Sequence, residues 1–140
     1  SCVEMLVGGK RLIFDGGTGL RVLGKELLKH TPVEAYMFFT HSHWDHIQGF
    51  PFFVPAFIPG NCFHIHGAIA PNGATMKQRL SDQMLHPNFP VPMQVMKSDL
   101  KFYDIGLPGR GEPLSMPLTQ NITRIISMKT CCTFLGMRMC

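Results

Sequence analysis

The 140-residue chain predicts an α/β fold, a sheet whose strands are joined by a helical crossover. Three observations carry this. Two short apolar runs, Cys2 to Val7 and Arg11 to Phe14, flank Gly8-Gly9-Lys10 and read as a β-hairpin. Leu20, Leu23, Leu27 and Leu28 then recur at helical spacing, with Arg21, Lys25, Glu26 and Lys29 elsewhere on the helix. Tyr36-Met37-Phe38-Phe39 follows as a buried strand, after a helix end near His30-Thr31-Pro32.

The strand runs into Thr40-His41-Ser42-His43-Trp44-Asp45-His46, three histidines and a carboxylate within six positions. Neutral imidazole and carboxylate are the donors that zinc and similar divalent metals select. In extended backbone, residues two apart project to one side, so His41 and His43 can reach one cation. A helix opening at Asp45-His46 would aim those two side chains at a neighbouring point. The pattern suits two metals sharing a bridging hydroxide, whose pKa the metals bring near neutrality. Trp44 reads as a packing residue that braces the turn.

Further along, Phe50 to Gly60 is strongly apolar, but its prolines and short length exclude a transmembrane helix. Three roles fit it: lining a substrate mouth, packing against another subunit of a homo-oligomer, or filling the core. Phe63 to Gly67 reads as a strand with His64 and His66 on one polar face. Met76, Leu80 and Met84 mark a short helix. His86 lies in a Pro-rich loop and reads as solvated, and Gln94 to Met96 and Lys101 to Tyr103 are candidate strands. Gly17-Thr18-Gly19 lacks the full glycine fingerprint of a dinucleotide loop.

The formal charge of +4 comes from scattered basic residues, with no run that would track a nucleic-acid backbone. The five cysteines have no Cys-x-x-Cys spacing, which argues against a zinc knuckle or a disulfide framework. Free thiols fit a reducing, cytoplasmic setting, and no membrane partner is expected.

His41-Ser42-His43-Trp44-Asp45-His46 resembles the His-x-His-x-Asp-His signature of the metallo-β-lactamase superfamily of metal-dependent hydrolases. Leu12 to Gly19 looks like the strand and Asp-x-Gly turn that precede that signature, and Ile47 to Phe53 is similar to the segment after it in the phosphodiesterase and tRNA 3′-processing nuclease branches. The resemblance covers Ser1 to about Asp104. It implies a partial αββα sandwich, mainly the N-terminal half, with residues 1–105 as the partial domain and 106–140 as a divergent or non-homologous tail.

The resemblance also implies ligand roles. His41 and His43 would hold a first metal, and Asp45 and His46 a second. Asp45 would also orient the attacking water, which makes it the candidate catalytic residue. Zinc is the expected metal, two per complete site, with manganese or iron also compatible. Asp15 matches an acid that lies under the metal site in the family, and reads equally as a turn cap.

The family completes its site with a further His, an Asp and a last His downstream. This chain has no histidine after His86, and its later aspartates are Asp99 and Asp104. The tail from Gly106 differs in character, with three of the five cysteines and one acid, Glu112. It is expected to come from a frame error or altered terminus, the alternative being a genuine strand over Ile122 to Met128. The functional expectation is hydrolysis of a phosphodiester, such as a cyclic nucleotide or an RNA end. The alternatives are thioester or acyl hydrolysis of the glyoxalase II type, and an inactive fragment or metal-binding module.

Overall fold

A computed structural model of the chain describes residues 1–106 and the backbone of 136–139. The tail assignment, including a strand over Ile122 to Met128, lies outside the described residues. Strands β1 (Val3–Val7) and β2 (Lys10–Phe14) form the expected hairpin, with Gly8 and Gly9 at φ 55° and 76°. Both turn positions sit in the left-handed region that a two-residue hairpin turn requires and that glycine occupies without a Cβ clash. The turn is tighter than the sequence suggests, since Lys10 already belongs to β2.

Helix α1 (Gly19–Leu27) buries Leu20, Leu23 and Leu27, and one 3-10 turn, Leu28–His30, ends it. Strand β3 (Glu34–Phe39) then pairs with β2 in parallel, which is the expected crossover. A single-turn helix α2 (Trp44–Ile47) and two 3-10 turns lead to β4 (Cys62–Ala68). Helix α3 (Met76–Asp82) opens on a capping box in which Thr75 Oγ1 accepts from Gln78 N and the Gln78 side chain accepts from Thr75 N. Strand β5 (Asp99–Ile105) follows, and β6 (Gly136–Met139) pairs antiparallel with β1. Gln94 to Met96, expected as a strand, falls instead largely in a 3-10 turn over Met93–Val95. Met93 and Met96, which flank Gln94-Val95, are both buried in the core, a packing that the turn provides.

The six strands form one mixed sheet in the order β5-β4-β3-β2-β1-β6, with β2 to β5 mutually parallel. Side-chain alternation gives the sheet two different faces. One face presents Ile13, Ala35, Met37, Phe39, Phe63 and Ile65 to the helices, where Leu20, Leu23, Phe50, Phe53, Met76 and Leu80 complete the core. Phe50, Phe53 and Ala56 are wholly buried, so the apolar 50–60 segment is chiefly core, with Phe52 and Val54 facing outward. Asn61 anchors this segment from inside, accepting from Val33 N at 2.7 Å and donating to Pro55 O at 2.9 Å.

The other face carries Phe14, Tyr36, Phe38, His64, His66 and Tyr103. Their rings stack across four strands: Phe14 on Phe38 at 5.4 Å, Phe38 on His66 at 4.8 Å and His66 on Tyr103 at 4.7 Å between centroids. His64 and His66 do share a face, as expected. His66, however, is only 6% exposed, and neither of its ring nitrogens has a hydrogen-bond partner. Among the described residues, no helix is long and apolar enough to cross a membrane.

Candidate metal centre

The carboxyl ends of parallel strands are where α/β sheets place ligands, because the loops there converge while the strands hold them fixed. Two such loops meet here. Asp15-Gly16-Gly17 follows β2, and Thr40 to His43 follows β3. They are stitched together by backbone bonds: Gly16 N donates to His46 O at 2.6 Å and Gly49 N to Gly16 O at 2.8 Å. The approach is so close that a Cβ on Gly17 would overlap Asp45 O, and one on Gly49 would overlap Gly17 O. Glycine is required at both positions by the neighbouring backbone.

Asp15 is the hub of this junction. It is 7% exposed and holds φ 60°, the one described non-glycine residue at positive φ. Asp tolerates that region better than most residues because its short side chain bonds locally. Its Oδ1 accepts from Thr40 N at 2.8 Å and from Thr40 Oγ1 at 2.9 Å. Its Oδ2 lies 2.9 Å from His46 Nδ1, an ion-pair approach in which the ring N–H is not aligned for a hydrogen bond. Asp15 therefore ties down the turn, one of its two sequence readings, and its carboxylate lies beside His46, an imidazole of the signature.

The network assigns a tautomer to His41. An ionised carboxylate only accepts, so Thr40 Oγ1 donates its proton to Asp15. Its lone pair is then left for His41 Nδ1, at 2.9 Å. A ring proton on Nδ1 satisfies this contact, and a neutral imidazole in that tautomer keeps its lone pair on Nε2, the form a metal ligand needs.

The other signature residues lie close by. His41 and His43 rings are 4.6 Å apart and near perpendicular, and His41 and His46 rings are 3.9 Å apart. Asp45 Oδ2 is 3.1 Å from His46 Nε2. The sequence spacing places His46 beside Asp45 and away from His41. The one-turn helix brings its ring against His41 as well. The structure thus gathers His41, His43, Asp45 and His46 at one sheet edge in pairs, without bringing three of their donor atoms within 4.8 Å of one another. Trp44 does not brace the turn: it is 80% exposed, since at the first position of α2 its side chain leaves the sheet edge toward solvent. His86 is exposed in its loop, as expected.

Gln48 and Gly49, just after the signature, line an open cleft with Arg21, Val22, Lys25 and Phe52. The two cations come from the outward side of α1, and the amphipathic spacing of that helix was the sequence signal for them.

Sequence reasoning missed a second donor group. Glu34, Cys62 and His64 bring Oε1, Sγ and an imidazole nitrogen within 4.8 Å of one another. Cys62 and His64 are two apart on β4, but Glu34 is distant in sequence, and only the parallel register of β3 and β4, with Glu34 opposite Cys62, brings it to them. Burial raises the Cys62 thiol pKa, with Asp99 and Glu34 adding to the effect and Lys101 opposing it.

In comparison with known proteins, no family model matches the chain, nor does any curated protein or solved structure.

Proposed function

We propose that the chain is a metal-dependent hydrolase of the metallo-β-lactamase type, built on the N-terminal half of an αββα sandwich and acting on a phosphodiester. The observation that carries this reading is the His41/Thr40/Asp15 relay, which leaves an imidazole lone pair at the carboxyl edge of the parallel strands beside His43, Asp45 and His46. The donor set, neutral imidazoles with one carboxylate, suits zinc and also manganese or iron. A bound metal would supply Lewis acidity and a hydroxide at neutral pH. The protein's own part is to hold the imidazoles. Asp15 supports His46 from Nδ1, Thr40 fixes His41, and Asp45 stands 3.1 Å from His46 Nε2, where it can accept a proton from water. Arg21 and Lys25 in the adjoining cleft favour an anionic substrate over a neutral thioester.

A second reading, metal binding without turnover, is favoured by the pairwise arrangement of the signature donors. One experiment separates them. The purified protein is loaded with zinc or manganese and assayed on bis(p-nitrophenyl) phosphate and on a thioester, beside His41→Ala/His43→Ala and Asp45→Asn variants. Metal-dependent phosphodiester hydrolysis that both variants lose supports the proposal. Metal bound through His41 and His43 with no turnover of either substrate leaves the second reading, and hydrolysis of the thioester alone moves the substrate to the acyl class.

A further inference from the structure

We propose a second metal site, formed by Cys62, His64 and Glu34 at the amino-terminal ends of β3 and β4 with solvent as a further ligand, that takes a thiolate-preferring divalent cation of the zinc class. It is separate from the signature cluster. Glu34, Cys62 and Asp99 occupy the first positions of the parallel strands β3, β4 and β5, whereas His41 to His46 follow the last residue of β3. A six-residue strand separates the two ends by roughly 17 Å.

The distances fit the chemistry. With metal–ligand bonds of about 2.0–2.3 Å, donor atoms around a tetrahedral zinc stand roughly 3.3–3.8 Å apart. Cys62 Sγ lies 3.6 Å from His64 Nε2, and both lie within 4.8 Å of a Glu34 carboxylate oxygen, while Asp99 Oδ2, 3.9 Å from the sulfur, stands outside that group. His64 Nε2 lies 2.9 Å from Glu34 Oε1, a hydrogen bond that must open by about half an ångström to admit the ion. Glu34 has the freedom to do so, because its side chain is 62% exposed.

The surroundings hold the imidazole for this role. Tyr36 stacks on His64 at 4.5 Å and Tyr103 at 5.8 Å, which fixes the ring plane. Tyr103 OH is 3.1 Å from His64 Nδ1. A phenol both donates and accepts, so it supports either tautomer. In the tautomer that carries Nε2–H, this atom donates to Glu34 and Nδ1 accepts from Tyr103. With metal, the ring proton moves to Nδ1, which donates to Tyr103, and Nε2 turns its lone pair to the ion. Cys62 releases its proton to solvent on binding. Lys101 Nζ now lies 3.3 Å from Asp99 Oδ2 and supplies the positive charge, and Lys10 lies over the Tyr36 ring at 5.2 Å. Two carboxylates and a thiolate exceed the charge of Lys101, which leaves room for a divalent cation.

Cobalt(II) is the probe, because only thiolate ligation gives an intense near-ultraviolet charge-transfer band, and the signature cluster contains no cysteine. Metal-free protein is titrated with cobalt and, in parallel, followed for thermal midpoint. The expected result is a band that saturates at one ion per chain and is displaced by zinc. It should persist in a Cys131→Ser/Cys132→Ser/Cys140→Ser variant and in His41→Ala/His43→Ala. It should vanish in Cys62→Ser and, independently, in His64→Gln, each checked for an unchanged far-ultraviolet circular dichroism spectrum. Tyr103→Phe should weaken binding roughly 10-fold or more. No thiolate band in the parent, or a band that survives Cys62→Ser, overturns the proposal.

Discussion

Asp15 offers the sharpest test of how the signature turn is held. Replacing it with Ala removes a charged acceptor from Thr40 N and Thr40 Oγ1. Hydrogen bonds to a charged group contribute roughly 1.5–3 kcal/mol each. Thr40 is exposed, so water recovers part of this and the low end applies. Ala must also adopt φ 60°, at about 1–2 kcal/mol. The expected loss for Asp15→Ala is therefore about 3–5 kcal/mol, a large share of a small domain's stability. Asp15→Asn keeps one acceptor oxygen and the left-handed tolerance, and should lose about 1–2 kcal/mol. Asp15→Gly removes the backbone strain but not the lost bonds, and should fall between them. Urea unfolding midpoints at constant slope give the comparison directly. The ranking Asn, Gly, Ala in order of increasing damage is required. If Ala is tolerated as well as Asn, or Gly is as damaging as Ala, the account of Asp15 as both tie and strained corner is wrong.

Two further expectations follow from the same junction and from the ring stack. Gly49→Ala should destabilise by about 1–3 kcal/mol, although its φ is ordinary, because the new Cβ overlaps Gly17 O and must push the two loops apart; a urea midpoint unchanged from the parent would show that the loops are not in contact. Burial pushes the His66 pKa down to about 4 from 6.5, with the charge of neighbouring His64 adding to it. The unfolded chain therefore takes up the proton first, so stability is present above pH 6.5 and is lost as pH falls toward 4. The full shift corresponds to about 3 kcal/mol, and exposed Tyr103 on one side of the ring lowers this to roughly 1–2. In chelator, His66→Phe should flatten the fall in unfolding midpoint between pH 7 and 4.5; parallel curves for parent and variant would refute it.

Much of the fold was legible in the chain because local periodicity and tertiary packing agree. Gly8-Gly9 forces the hairpin, Leu20, Leu23 and Leu27 define the buried side of α1 while Leu28, read with them, is exposed in the turn that follows, and Met76, Leu80 and Met84 all turn inward as their spacing implies. Gln94 to Met96 failed because a short apolar run carries no periodicity that separates a strand from a turn packed by its methionines. Trp44 failed for a related reason: a large apolar residue predicts burial only where the backbone points it at a core, and the first turn of α2 points it away.

At the candidate site, sequence by itself determined which donors are present and that His41, His43, Asp45 and His46 must lie close together, since they fall within six consecutive residues. Only the tertiary structure decided what holds them. Asp15 reaches Thr40 across 25 residues because β2 and β3 run parallel and end side by side. The same parallel register decides the second cluster. Glu34 carries no spacing signal toward Cys62 and His64, yet it stands beside them because Glu34 and Cys62 each open their strand, and paired strands lie about 4.8 Å apart, a separation that side chains can bridge to one ion.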